Sequence, residues 1–275
     1  MHDGPIGIFD SGVGGLSILR QLRSLLPAEA LLFFADQAHV PYGPRALDEV
    51  RRFSIGITRF LIDQGAKLIV VACNTASAAA LMEVRSAFPE VPFVGMEPAV
   101  KPAAEQTRSR TVGVLATPAT FQGELFASVV ERFAQGVRVL PQTLPGLVEQ
   151  IEAGDLNGAE TRRIVQAAVQ PMVAQGADTL VLACTHYPFV IPVIAEIAGP
   201  GVQVIDPSPA IARQAARLLD ERGLRATAGR QAGVTLQTSG DPARLQEMVL
   251  RLVGENRRAR PARWDASGTT LRLGG

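Results

Sequence analysis

The chain of 275 residues is short of several residue types, and each shortage removes a class of function. Only two cysteines are present, so a disulfide framework is excluded as a source of stability and a reducing, cytoplasmic setting is expected. Only two lysines, Lys67 and Lys101, stand against 25 arginines, which leaves two candidates for any cofactor that needs a Schiff base. Histidine is nearly as scarce, with three. A zinc site draws on about four clustered Cys and His ligands. Cys73 has no such neighbour and Cys184-x-His186 is too few, so no metal is expected. No apolar run approaches the ~18 residues that suggest a membrane span. The opening Met1-His2-Asp3-Gly4-Pro5 also lacks the basic and apolar regions of a secretory leader. An excess of one charge is missing too: the formal net charge is +1, so neither nucleic acid nor a membrane surface is expected as a partner.

What is present is a folded composition, 47% hydrophobic and 19% charged, long enough for one large domain or two modest ones. The two cysteines sit in near-copies of one phrase. Gly65-Ala66-Lys67-Leu68-Ile69-Val70-Val71-Ala72-Cys73-Asn74-Thr75 is echoed by Gly176-Ala177-Asp178-Thr179-Leu180-Val181-Leu182-Ala183-Cys184-Thr185-His186, at a constant offset of 111 residues. Ile6-Gly7-Ile8-Phe9 is echoed by Val112-Gly113-Val114-Leu115 at an offset of 106, and Glu97-Pro98 by Asp206-Pro207 at 109. Order and spacing are both kept, which marks an internal duplication.

Short apolar runs alternate with segments of helical period. Strands are expected at 6–9, 31–35, 68–72 and 92–96, with helices over 16–26, 47–64 and 74–88 between them. Such alternation with short connections predicts parallel strands covered by helices on both faces. The expected fold is α/β: two pseudo-symmetric, doubly wound lobes with mostly parallel sheets and an active site in the cleft between them. The first lobe comprises 1–97, completed by a returning helix, strand and helix in 207–253; the second comprises 98–206. Residues 254–275, rich in Arg and Gly without helical periodicity, are expected to form a mobile tail.

In parallel α/β sheets ligands bind beyond the carboxyl ends of the strands. Asp10-Ser11, Asp36, Cys73-Asn74-Thr75, Thr117 and Cys184-Thr185-His186 all fall at such ends. One cysteine at a strand end is ordinarily a small buried hydrophobe. Two at equivalent repeat positions with polar neighbours suggest paired acid/base groups facing each other. Each is expected to precede a helix whose N-terminal dipole favours the thiolate. Asp10 is either a helix N-cap or a partner of a thiol or an ammonium, and His186 a surface histidine or an acid/base helper. Glu152 lies in a helical stretch where a solvated glutamate is the default, with a supporting role as the alternative. Gly12-Val13-Gly14-Gly15 lacks the spacing of a nucleotide loop; it suits a tight turn and close helix packing, and its N–H groups could hold a carboxylate.

With Ile8-Phe9-Asp10-Ser11-Gly12-Val13-Gly14-Gly15-Leu16, Pro41-Tyr42-Gly43, Val71-Ala72-Cys73-Asn74-Thr75-Ala76-Ser77, Cys184-Thr185-His186-Tyr187-Pro188 and Thr238-Ser239-Gly240-Asp241, the chain resembles the glutamate racemases of the aspartate/glutamate racemase superfamily over roughly residues 5–253. The resemblance implies cofactor-independent racemisation of L- and D-glutamate, supplying D-glutamate for peptidoglycan. It implies that Cys73 acts on the D-isomer and Cys184 on the L-isomer, assisted by Asp10 and His186. Asp10, Ser11, Pro41, Tyr42, Gly43, Asn74, Thr75, Thr185 and His186 would bind the substrate, with Asp36, Thr117 and Glu152 in support. Expected partners are glutamate and a second copy of the chain. The chain departs from the family at Leu144-Pro145, where many members carry Cys-Pro. Two other readings keep some of these features: a racemase of aspartate or a related acid on the same fold, and a two-lobe ligand sensor that has no need of paired thiols.

Overall fold

The computed structural model describes residues 4–227 and 232–274, so the expectation for Met1-His2-Asp3 and the last residue of the tail lie outside the described residues. The first half runs β1 (Ile6–Asp10), α1 (Leu16–Leu25), β2 (Leu31–Ala35), α2 (Leu47–Asp63), β3 (Leu68–Val71), α3 (Asn74–Ala87) and β4 (Phe93–Val94). After α4 (Val100–Gln106) come β5 (Thr111–Ala116), α5 (Pro118–Gln122), α6 (Glu124–Phe133), β6 (Arg138–Thr143), α7 (Leu147–Glu152), α8 (Ala159–Ala174) and β7 (Thr179–Ala183). A 3-10 turn (Tyr187–Val190), α9 (Ile191–Ala198) and β8 (Gln203–Ile205) follow. The chain ends with α10 (Ser208–Glu221), β9 (Val234–Thr238), α11 (Pro242–Val253), β10 (Ala259–Trp264) and β11 (Leu271–Leu273).

Two sheets result. One is ordered β11-β10-β9-β2-β1-β3-β4 and the other β6-β5-β7-β8. All pairings are parallel except β10 with β11. The order β2-β1-β3-β4 is the order β6-β5-β7-β8 in the second copy, so the duplication extends to topology. It extends to register as well: Gly7 pairs with Ile69 and Gly113 with Leu180, the pairing that the offsets of 106 and 111 require. The Gly-Ala turn that opens each cysteine phrase needs its glycine, because Gly65 and Gly176 have φ of 83° and 92°.

The central strands are buried along their whole length, as continuous apolar runs in parallel sheets are. Side chains alternate between faces. Ile69, Val71 and Cys73 join one core, with Phe9, Phe34 and Phe53; Leu68, Val70 and Ala72 join the other, under α1, α10 and α11. In the second sheet Leu180, Leu182 and Cys184 continue the equivalent face. Both thiols therefore leave the end of a central strand on the corresponding side of their sheets.

Three expectations are corrected. The segment after Gly254 is not a loose tail: β10 adds to β9, β11 adds antiparallel to β10, and Ala262 and Leu271 are buried with Phe53 and Ile57. The strand expected at 92–96 is only Phe93–Val94, because the Met96 N–H donates to Ser77 Oγ at 2.8 Å instead of joining the ladder. Cys184 precedes a 3-10 turn rather than an α-helix, since Pro188 and Pro192 interrupt regular helix there. An unanticipated strand, β6, forms the outer edge of the second sheet, the position that its Pro141 permits.

Candidate active site

The carboxyl ends of both sheets converge on one cleft of about 190 Å³. That is below the ~300–1,000 Å³ of sites for drug-sized ligands and suits a small metabolite. Ser11, Pro41, Tyr42, Gly43, Cys73, Asn74, Thr75, Thr117, Cys184, Thr185 and His186 all line it. Asp10, Asp36 and Glu152 do not; they stand behind the wall.

Cys73 caps α3, its Sγ accepting from the Ala76 N–H at 3.4 Å and lying 4.0 Å from Ser11 Oγ. The expected thiolate bias does not follow. Burial pushes the Cys73 thiol well above its ordinary pKa, the nearby Asp10 carboxylate pushes further, and the Ala76 N–H opposes both too weakly to win. Cys73 therefore rests as a thiol whose S–H can donate to Asp10. The Asp10 carboxyl is fully buried and its pKa is raised, chiefly by that burial, while His186 and the Gly15 N–H pull it back down. The Gly15 N–H donates to Asp10 Oδ2 at 2.7 Å, so Asp10 fixes the glycine turn as well as facing the thiol.

The second thiol has a different neighbour. Cys184 Sγ is 3.8 Å from Nδ1 of His186, whose Nε2 is 2.7 Å from Glu152 Oε1. Burial disfavours charge on His186, yet its hydrogen bonds to Cys184 and Glu152 carry the pKa well above the usual histidine value. The Glu152 carboxyl is lowered: burial works against ionisation, and the bonds from His186 and the Val13 N–H overcome it. The solvated default for Glu152 is thus replaced by a buried ion pair. Cys73 thus faces a carboxyl and Cys184 an imidazole.

The lobes meet at this point. Val13 N donates to Glu152 Oε1 at 2.7 Å, Ser17 Oγ to the Thr185 carbonyl at 3.2 Å, and Ala119 N to the Gly43 carbonyl at 3.3 Å. Thr75 and Thr117 join their hydroxyls across the cleft at 2.9 Å. The glycines of the Gly12-Val13-Gly14-Gly15 turn are sockets for the second lobe. A Cβ on Gly12 would lie 1.9 Å from Glu152 Oε1, and one on Gly14 would lie 2.5 Å from His186 Nδ1. On the floor, both polar side-chain atoms of buried Asn74 lack a partner among the described residues. An amide left unsatisfied in this way carries a free-energy cost that a ligand can remove.

Neither lysine reaches the cleft. Lys67 precedes β3, at the end away from Cys73, with Nζ 2.7 Å from Glu29 Oε2, and Lys101 lies over the Phe133 ring. Sequence reasoning missed the wall from the β6–α7 turn, where Thr143, Gly146, Val148 and Glu149 line the cleft. It noted Leu144-Pro145 only as a departure from pattern, and both line the cleft too. The signal was weak because β6 is half exposed and polar.

Two lobes of one topology, each ending a central strand in a cysteine that opens on a shared cleft, define a two-lobe α/β architecture with one paired-cysteine site. The profile of the Asp/Glu/Hydantoin racemase family matches residues 6–215, and the chain belongs to that family. A glutamate racemase of Roseiflexus sp. (strain RS-1) is 52% identical over 249 residues, covering 90% of this chain and 92% of that one. The solved glutamate racemase of Francisella tularensis, in complex with D-glutamate, superposes with a TM-score of 0.83 at 30% identity, covering 94% and 97% of the two chains. The Escherichia coli enzyme, solved with L-glutamate and the activator UDP-MurNAc-Ala, gives 0.81 at 28% identity, covering 99% and 100%.

Proposed function

We propose that this protein interconverts L- and D-glutamate by passing a proton between two thiols. The observation that carries the reading is the cleft with Cys73 backed by Asp10 on one side and Cys184 backed by His186 and Glu152 on the other. With L-glutamate bound, Cys184 as thiolate removes the α-proton and the Cys73 thiol delivers its own proton to the opposite face. The products are D-glutamate, a Cys73 thiolate and a Cys184 thiol; D-glutamate reverses each transfer. Asp10 receives the S–H of Cys73 before transfer, and the imidazolium of His186 stabilises charge at Cys184.

The difficulty is acidity, since an amino-acid α-proton is far weaker than a thiol of reference pKa about 8.5. No lysine is placed to supply an electron sink, so fixed donors must stabilise the charge that develops on the α-carboxylate. Asn74, with its unpartnered amide, Ser11, Thr75, Thr117, Thr185 and the backbone of Pro41-Tyr42-Gly43 supply that binding surface. The selection of glutamate over aspartate rests on the relatives and on these loops. Work in the cytoplasm, as a homodimer, providing D-glutamate for peptidoglycan, completes the proposal. Among the described residues no helix is long and apolar enough to cross a membrane, which agrees with such a setting.

The test is incubation of metal-free, pyridoxal-free protein with L-glutamate in D2O. D-glutamate carrying deuterium at Cα is the expected product, and aspartate should be turned over far more slowly. Cys73→Ala and Cys184→Ala should each reduce racemisation by at least ~10³-fold, because each removes an obligatory acid/base group. Protein that leaves the Cα proton of glutamate unexchanged would sink the reading.

A further inference from the structure

Asp36 has no acceptor site left for a substrate. Its Oδ1 accepts from Ser239 Oγ at 2.6 Å and from the indole N–H of Trp264 at 2.8 Å. Its Oδ2 accepts from the Tyr42 hydroxyl at 2.6 Å and lies 2.9 Å from Nδ1 of His39. A carboxylate offers about four lone-pair sites, and all are used. Of the four partners only Tyr42 lines the cleft. Trp264 comes from β10, in the C-terminal hairpin that follows α11. The hairpin is seated for this reach. A Cβ on Gly56 of α2 would lie 2.7 Å from the Trp264 ring and 2.7 Å from the Thr269 carbonyl, so a bare helix surface admits both. His39 completes the seat, stacked on Phe53 at 3.9 Å and meeting the Trp264 ring at 5.5 Å.

We propose that Trp264 is a positioning residue for substrate binding. Its indole N–H fixes the Asp36 carboxylate, Asp36 holds the Tyr42 hydroxyl, and the Pro41-Tyr42-Gly43 backbone is thereby set against the substrate. The assignment rests on the glutamate reading of the cleft and extends it to β10, one strand in from the far edge of the first sheet. The loop touches bound substrate in ground and transition states alike, so its displacement weakens both equally.

Trp264→Phe keeps a packed ring and removes the donor. KM for L- and D-glutamate should rise together, by roughly three- to tenfold, with kcat within about twofold. Leu219→Ala opens a cavity in the core on the other face of the sheet, away from the hairpin; it should lower Tm and leave KM unchanged. Trp264 is the only tryptophan, so its indole N–H gives one resolved NMR cross-peak. Saturating D-glutamate should shift that peak in wild-type protein, and Tyr42→Phe should shift it without ligand. An unchanged KM in Trp264→Phe, a rise for one isomer only, an equal rise in Leu219→Ala, or a cross-peak indifferent to D-glutamate in an active enzyme would overturn the assignment. Wild-type protein that neither binds nor turns over glutamate would instead overturn the reading of the cleft, and this assignment with it.

Discussion

Cys73 and Cys184 share a repeat position but not a neighbour, a carboxylate in one case and an imidazole in the other. A buried carboxylate beside Cys73 favours the S–H that donates to it. Cys184 faces an imidazole instead, whose proton is held by its bonds to Cys184 and to Glu152, the latter at 2.7 Å from its other nitrogen. Glu152→Gln tests this chain of causes. The folded pKa of His186 is raised, so its protonated form persists above the ordinary histidine range. Removing the Glu152 charge removes one cause of that rise, and the imidazole then loses its proton at lower pH. The alkaline limb of the kcat profile should therefore move toward lower pH. At neutral pH kcat should fall by about ten- to a hundredfold, less than the loss from deleting a direct acid/base group. A pH–rate profile taken in both directions checks it; an alkaline limb that stays in place would separate Glu152 from His186 function.

At the scale of elements, the central strands and the cysteine repeat were legible because both faces of a parallel strand are buried, which makes the sequence a continuous apolar run. Asp10, Cys73, Asn74, Cys184 and His186 were legible for a related reason: they are the first polar residues after those runs. Glu152 was named only in support and its burial was not legible, because its partner His186 lies 34 positions away and comes near only when β7 pairs with β5. The β10–β11 hairpin was missed because its buried residues, Ala262 and Leu271, are isolated apolar positions in an Arg- and Gly-rich stretch without strand alternation. The hairpin docks on α2, and Gly56→Ala measures how tightly. Helix propensity alone favours alanine there by about 1 kcal/mol. The added Cβ would lie 2.7 Å from a backbone carbonyl as well as from a tryptophan ring, and backbone does not yield cheaply. Overpacking costs about 1–3 kcal/mol. The second effect should win, so Gly56→Ala should lower Tm by about 2–6 °C, against the direction of propensity. Thermal unfolding followed by circular dichroism decides it, and a raised Tm would mean the hairpin is loosely held.

For the whole molecule, closing the two lobes and assembling the site are the same event. Several contacts that join the lobes end on residues that line or back the cleft: Val13 on Glu152, Ser17 on Thr185, Ala119 on Gly43, Thr75 on Thr117, and Arg244 on the Glu152 carbonyl at 2.8 Å. Each lobe meanwhile has its own pair of apolar cores, and only the half-buried Leu156 and Phe189 of the second lobe pack against a core of both. Stability and catalysis should therefore respond separately to a change at the seam. Gly14→Ala is such a change. Its Cβ would sit 2.5 Å from His186 Nδ1 and 2.6 Å from Thr185 Oγ1. His186 cannot turn aside without losing its 2.7 Å bond to Glu152. The second lobe must then seat about an ångström away, a displacement that costs on the order of a hundredfold where reacting groups must be aligned. We expect kcat to fall by roughly that factor in both directions, while Tm moves by no more than about 3 °C because neither core is touched. Kinetics in both directions alongside a melting curve distinguish the cases. A large fall in Tm would show that the lobes are held by the seam rather than by their cores, and unchanged kcat would show that the glycine turn is not where the two halves of the site are set against each other.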